Sequence, residues 1–265
     1  MKTITSRHNP MVARYREAAR GRNRAGAMLL DGTHLLDEAL RAGVRLLSVA
    51  YSRRALDAPD VARLVEDARA AGADACLVTD DVLDAMSPAA TPSGVVALAD
   101  RPSPPLRDAF AGPTPLVLVA VDVQDPGNVG ALVRAAEAAG ATSVVTTGAS
   151  ADPFGWKALR GSMGSAFRVP VVMAGLDDVL AEANAAGVTV AAAVPRTGAS
   201  MYEVDLARPV ALLLGGEGPG LPDEVIRRAA ARVTIPMRPP VESLNVATAA
   251  AVLVYEAARQ RRVRG

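Results

Sequence analysis

Of 265 residues, half are hydrophobic and 22% are charged, so the chain can build a core and wholesale disorder is excluded. A formal net charge of +1 argues against a protein that is basic all over, and 3% aromatic residues argue against extensive stacking of bases on aromatic platforms. One cysteine, Cys76, excludes an internal disulfide and a cysteine-rich zinc site, and two histidines without partners at ligand spacing leave no metal centre to expect.

The first hundred residues alternate helical and apolar segments. Helices are predicted at Pro10–Arg20, Thr33–Ala42, Val61–Ala71 and Asp80–Ala85, and strands at Met28–Leu30, Leu46–Tyr51, Ala75–Val78 and Val95–Leu98. This is the pattern of a small α/β sandwich, with Cys76 read as a small core residue. Two proline-rich stretches, Asp100 to Leu106 and Ala111 to Pro115, form a stiff seam. The division is placed there, giving domains over residues 1–105 and 106–265. After the seam come longer strands at Leu116–Val121, Ser143–Thr147, Val169–Met173, Val188–Ala193, Val210–Leu214 and Arg232–Pro236. Their near-continuous apolar character predicts a parallel sheet covered on both faces. The covering helices are expected at Val129–Ala139, Lys157–Ser165, Leu176–Ala186, Asp223–Ala231 and Val246–Arg261. No run of about 18 apolar residues is present to span a membrane, and the N-terminus lacks the apolar centre of a signal peptide. A cytoplasmic protein is the expectation.

Charge is unevenly placed. Residues 1–24 carry Lys2, Arg7, Arg14, Arg16, Arg20, Arg22 and Arg24 against one acid, Glu17, and the last helix ends in Arg259, Arg261, Arg262 and Arg264. Such stretches can meet phosphates by counterion release, or they form a solvated helix face and a frayed tail.

Three clusters carry chemistry, all after the seam. Asp122 to Arg134 stands where a strand hands over to a helix, with Asn128 in an N-cap-like position and Asp125-Pro126-Gly127 as a turn. Leu214 to Gly220 holds four glycines in seven residues, a sequence suited to a sharp turn or a close approach to a ligand. It lacks the Lys-Ser/Thr of a P-loop and the spacing of the dinucleotide fingerprint, which argues against a nucleotide-dependent oxidoreductase. Ile235 to Val246 holds three prolines in twelve residues and leads into the final helix, with Ser243 or Asn245 as its start. Stiffened loops at the ends of neighbouring strands make a ligand cleft of the open α/β kind.

Together these clusters resemble the three motifs of the SpoU (TrmH-like) branch of the SPOUT RNA 2′-O-ribose methyltransferases. The match runs Asn128-x-Gly130-x-x-x-Arg134, then Gly215-x-Glu217-x-x-Gly220-Leu221, then Ile235-Pro236-Met237 with Ser243-Leu244-Asn245-Val246. The segment from Lys157 to Pro170 is similar to the region between motifs in that family. The N-terminal half resembles its accessory substrate-binding domain more loosely, through Ser6 to Pro10, Arg24 and the Leu30-Asp31-Gly32 turn.

The resemblance implies an α/β fold with a C-terminal, trefoil-knotted parallel sheet and flanking helices, plus a smaller N-terminal α/β/α RNA-binding domain. It implies S-adenosylmethionine as cofactor, held by Leu214, Gly215, Gly216, Ile235, Met237 and Leu244, with Leu214, Ile235 and Leu244 as a slot for the adenine. It implies a catalytic set of Asn128, Arg134, Glu217, Ser243 and Asn245. In the family Arg134's counterpart is proposed as the base; a guanidinium that orients the ribose by fixing a phosphate is the milder alternative. Asn128 and Asn245 are expected on the ribose or on Arg134, and Glu217 as a brace accepting backbone amides. Candidate RNA contacts are Arg14, Arg20, Arg22, Arg24 and Arg160. The implied partners are structured RNA, ribosomal RNA ahead of transfer RNA, and a second copy of the chain. A non-catalytic RNA-binding module on the same scaffold is the alternative from a different class.

Overall fold

A computed structural model of the chain describes residues 3–21 and 26–264. Its backbone divides into two units, Met1–Pro102 with Phe154–Phe167, and Ser103–Pro153 with Arg168–Gly265.

The first unit opens with α1 (Pro10–Ala19), capped by Asn9, whose side chain accepts from the Met11 N–H at 2.9 Å, with Pro10 preset for the first turn. There follow β1 (Ala27–Asp31), α2 (Thr33–Arg41), β2 (Leu46–Ser52), a 3-10 turn at Arg54–Asp57, α3 (Pro59–Ala70), β3 (Asp74–Val78), α4 (Asp80–Met86) and β4 (Val95–Asp100). The sheet order is β1-β4-β2-β3, antiparallel on both sides of β4 and parallel between β2 and β3. Residues alternate between faces along each strand. Ala50 packs with Val12, Tyr15, Val82 and Met86 of α1 and α4, while its neighbour Tyr51 receives Arg69 of α3 at 2.6 Å. The sandwich thus has α1 and α4 on one face and α2 and α3 on the other. Buried Tyr15 meets Ser48 at 2.8 Å, leaving its hydroxyl satisfied. Cys76, expected in the core, is only half-buried, because β3 is an outer strand.

The second unit contains α5 (Leu106–Ala109), β5 (Leu116–Val121), α6 (Pro126–Ala139) and β6 (Ser143–Thr147). The chain then crosses to the first unit for α7 (Trp156–Ser162) and a 3-10 turn at Ser165–Phe167. It resumes with β7 (Val171–Met173), α8 (Leu176–Ala185), β8 (Thr189–Ala193), β9 (Ala199–Ser200), β10 (Val210–Gly215), α9 (Asp223–Arg228), β11 (Ala231–Thr234) and α10 (Val246–Arg264). All pairs in its sheet are parallel, in the order β7-β6-β5-β10-β8-β11-β9. The central strands β5 and β10 are buried along nearly their whole length, as their unbroken apolar runs require. Val117, Val119, Ala211 and Leu213 pack with residues of α5, α8 and α9 on one face. Helices α6 and α10 pack together and enclose Leu253, Val254 and Ala257. Each enclosed leucine contributes about 1.5–3 kcal/mol relative to exposure.

The α/β class stands, and several expected ends shift. Helix α6 starts at Pro126 under an Asp125 cap rather than at Val129. Helix α9 stops at Arg228, three residues short of the expected end, because Ala231 already pairs with Ala191 of β8. Ile235 and Pro236 fall beyond the end of β11. Neither the two-residue β9 nor the one-turn α5 carries a periodic signal long enough to read.

Candidate active site

The site forms where the carboxyl ends of parallel strands meet crossovers that run in opposite directions. From β5 the chain goes through α6 to β6 on one side, while β10 lies on β5's other side, which opens a crevice at that point. Asp125 initiates α6: its carboxylate accepts the Asn128 N–H at 2.9 Å. Because Asp125 is the cap, the Asn128 side chain is released for other partners.

Those partners come from the other two motifs. Asn245 caps α10, its Oδ1 accepting from the N–H groups of Ala247 at 2.9 Å and Thr248 at 3.3 Å. That commitment turns its Nδ2 outward to donate to Asn128 Oδ1 at 3.0 Å. Asn128 Nδ2 in turn donates to Glu217 Oε1. Residues 117 and 89 positions apart are thus joined in one relay of amides ending on a carboxylate. Glu217 accepts from this side chain, not from the backbone amides expected of it.

Two glycines make the approach possible. A Cβ on Gly216 would collide with the backbone of Asp122, and one on Gly215 with the backbone of Gly220 and Leu221. Gly216 donates to the Val121 carbonyl at 2.9 Å and bridges to Gly220, closing the loop that carries Glu217. Asp122 itself adopts a positive φ of 54° and accepts the Ala149 N–H at 2.7 Å.

A cavity of about 820 Å³ opens beside this relay, at the ends of β8, β10 and β11. All six expected cofactor residues, Leu214, Gly215, Gly216, Ile235, Met237 and Leu244, line it. So do Glu217, Ser243 and Asn245. The walls fit an adenosyl group: apolar side chains of Leu214, Ile235 and Leu244 stand beside a glycine-rich backbone, and the volume falls within the range of cofactor pockets.

Arg134 is not brought into the cluster. It is exposed on α6, does not line the cavity, and has no ion-pair partner among the described residues. The sequence reading missed the wall from Ala193 to Thr197, where Thr197 has a φ of 64°. The signal was available, since this polar turn follows a buried strand at its carboxyl end. It also missed Asp223, Ile226 and Arg227 of α9. A second cavity of about 510 Å³ shares Pro195, Arg196, Ile235 and Met237 with the first, and an exposed Arg196–Glu242 ion pair of 2.8 Å stands at its edge.

Of the expected RNA contacts, Arg14 and Arg20 are exposed and without ion-pair partners among the described residues, and Arg22 and Arg24 lie outside those residues. Arg160 belongs to the same unit as Arg14 and Arg20, through the returning helix α7, and its guanidinium lies 5.9 Å from the Trp156 ring. Arg16 is engaged structurally, donating to the Ala85 carbonyl at 2.9 Å.

The basic C-terminus is no frayed tail. Arg259 pairs with Glu256 at 2.8 Å, and Arg261 donates to the carbonyls of Leu206, Thr114, Pro115 and Arg208. Burial holds the Arg261 pKa below its ordinary value. Among the described residues no cluster of three His, Cys, Asp or Glu could hold a metal ion, and no helix is long and apolar enough to cross a membrane.

A parallel α/β unit with a glycine-walled, adenosyl-sized cavity at its switch point defines a nucleotide-cofactor protein. The family is narrower. Residues 115–255 match the model of the SpoU rRNA Methylase family, and residues 1–112 match that of the thiostrepton-resistance methylase N terminus. The chain belongs to the SpoU family. It is 35% identical to an uncharacterized tRNA/rRNA methyltransferase of Synechocystis sp., over 98% of this chain and 94% of that one. It is 32% identical to the 23S rRNA (guanosine(2553)-2′-O)-methyltransferase RlmP of Bacillus subtilis, over 96% of this chain and 98% of that one. Among solved structures, the AdoMet-bound rRNA methyltransferase from Sinorhizobium meliloti superposes with a TM-score of 0.86 at 31% identity, covering 97% of each chain.

Proposed function

We propose that this protein transfers a methyl group from S-adenosylmethionine to a ribose 2′-hydroxyl of ribosomal RNA. The observation that carries the reading is the convergence of all three motifs at one cavity edge, through Asn245, Asn128 and Glu217. The family relationship and the ribosomal substrates named for its relatives support it.

In this reading Leu214, Ile235 and Leu244 hold the adenine, and the backbone at Gly215, Gly216 and Met237 holds the ribose of the cofactor. The cofactor, when bound, supplies a methyl group already activated by its sulfonium. What is left to the protein is alignment of the attacking oxygen and disposal of its proton. Asn128 and Asn245 each keep one amide N–H beyond the relay to orient the target ribose. Ser243 contacts the target nucleotide. Arg134, exposed and without an ion-pair partner among the described residues, fixes a neighbouring phosphate.

The domain over residues 1–105 binds RNA, with Arg14, Arg20, Arg22 and Arg24 on backbone phosphates and Arg160 as a further contact. Residues 106–265, apart from the segment Phe154–Phe167 that returns to the first unit, form the catalytic domain, whose cofactor loops are held in a trefoil knot. The enzyme works as a homodimer in the cytoplasm, and Tyr255, 55% exposed on α10, supplies apolar surface for self-association.

The test is methyl transfer from labelled S-adenosylmethionine to total bacterial RNA, followed by nucleoside analysis. Label on a 2′-O-methyl nucleoside of ribosomal RNA, lost in Asn128→Ala, is the expected result. Label confined to transfer RNA would change the substrate, and label on a base would overturn ribose as the nucleophile. Absence of label from every RNA, with tight cofactor binding, would favour a binding module.

A further inference from the structure

We propose that the second cavity receives the base of the target nucleotide, and that Glu242, with Arg196 beside it, selects guanine there. This rests on the ribose-methylation reading and names the nucleotide that reading leaves open.

Presenting a ribose 2′-hydroxyl to a bound cofactor takes the nucleotide out of its stack, and the freed base then needs a pocket of its own. The cavity of about 510 Å³ shares Pro195, Arg196, Ile235 and Met237 with the cofactor cavity, and its volume falls within the range of small-ligand sites. Glu242 lines this cavity and not the first, while the next residue, Ser243, lines the first. A nucleotide whose ribose lies at Ser243 therefore has its base at Glu242. Pro195, Pro239, Pro240 and Val241 give that pocket rigid apolar surface on which a base can lie, and Met237 adds a polarisable sulfur.

Both charged groups stand on restrained backbone. Arg196 belongs to the turn after β8, which Gly198 pins against β11. The Gly198 N–H donates to Thr234 Oγ1 at 3.0 Å, and a Cβ there would strike that hydroxyl and the Val233 backbone. Glu242 follows two prolines whose fixed φ stiffens its loop. Arg196 Nη2 donates to Glu242 Oε1 at 2.8 Å, with the two side chains 69% and 77% exposed. An ion pair that exposed contributes little to folding. Neither side chain has another partner among the described residues, so Glu242 Oε2 and the remaining Arg196 N–H groups are open to a ligand.

The chemistry of base edges decides which ligand. A carboxylate only accepts, and matching both its oxygens takes two neighbouring donors. Guanine alone among the RNA bases carries two on its Watson–Crick edge, N1–H and the 2-amino group, with the O6 acceptor next to them. Glu242 accepts both, and an Arg196 N–H donates to O6. Uracil would set its second carbonyl against the carboxylate. Adenine and cytosine offer a single amino group, which leaves one carboxylate oxygen facing the base without a donor and costs affinity.

Nucleoside analysis of ribosomal RNA methylated by the wild type should therefore place the label on 2′-O-methylguanosine. Label on 2′-O-methyladenosine, 2′-O-methylcytidine or 2′-O-methyluridine overturns the proposal. Glu242→Gln sets an amino group against one of the guanine donors. Its single-turnover rate should fall roughly 10- to 100-fold, with S-adenosylhomocysteine affinity by calorimetry unchanged, a check on folding that does not depend on turnover. Inosine, which lacks the 2-amino group, separates base reading from a merely structural ion pair. On a ribosomal RNA transcript carrying inosine at the methylated position the wild type should slow about tenfold. The variant should treat inosine and guanosine alike, because its one carbonyl needs only N1–H. A Glu242→Gln rate within about twofold of wild type, or an inosine penalty that survives in the variant, overturns the assignment. Absence of any 2′-O-methyl label from the wild type would instead overturn the functional reading, and this inference with it.

Discussion

Asn245 does two jobs with one side chain: its oxygen caps α10, and its nitrogen orients Asn128. Two substitutions separate them. Asn245→Asp keeps a capping oxygen but puts a carboxylate against Asn128 Oδ1, so folding stability should hold within a few tenths of a kcal/mol while single-turnover methylation falls at least tenfold. Asn245→Ala loses both functions and should also lose about 1 kcal/mol of stability. Urea unfolding beside the methylation assay distinguishes the two; equal activity in Asn245→Asp and wild type would show that the relay is dispensable. The relay residues were each readable as motif positions, yet their hydrogen-bond partners were not. Asp125 and Asn128 are both good caps three residues apart, and sequence does not say which one is used. Glu217 was read as a brace for backbone amides because nothing in the chain reveals a neighbour 89 residues distant.

At the scale of the element, α10 departs most from expectation. Its arginine-rich end reads as a solvated tail, but Arg261 reaches back to carbonyls that precede β5 and β10. Gln260 joins it, accepting the Leu206 N–H at 2.8 Å and donating to the Val204 carbonyl at 3.1 Å. A guanidinium fork suits several carbonyls at once, and a lysine does not. Arg261→Ala should therefore cost roughly 1–2 kcal/mol, seen as an earlier unfolding midpoint with little change in RNA affinity. A normal midpoint with weakened RNA binding would return Arg261 to the phosphate-binding set. The inner strands and longer helices were legible because their apolar periods are long and unbroken. Where α9 ends was not, since strand pairing at Ala231, a tertiary fact, terminates it.

At the scale of the whole molecule, the two units carry different features. Arg14 and Arg20 are exposed on the first, and the cavity lies in the second. Replacing both arginines by alanine should weaken RNA binding and lower the salt slope by about 0.7–0.9 for each phosphate left without its arginine, with cofactor affinity unchanged. An unaltered slope would mean that RNA is held elsewhere. S-adenosylhomocysteine at about 100 times its dissociation constant should stabilise the protein by roughly 2.7 kcal/mol, and NAD should give no shift. The return of Phe154–Phe167 to the first unit was invisible in the sequence. That segment has the helical pattern of its neighbours, and only the packing of Trp156 against the cluster around Val12 and Tyr15 shows where it goes.

The sequence by itself determined the α/β class, the parallel second sheet and the three glycine-, proline- and asparagine-bearing loops. These depend on local periods and on backbone demands that only certain residues meet. Tertiary structure alone decided that Asn128, Glu217 and Asn245 form one relay, that Arg134 stays outside it, and that Arg261 is structural. Each of those outcomes depends on which elements a crossover brings together, and hydrogen bonds between residues far apart in the chain leave no trace in its local pattern.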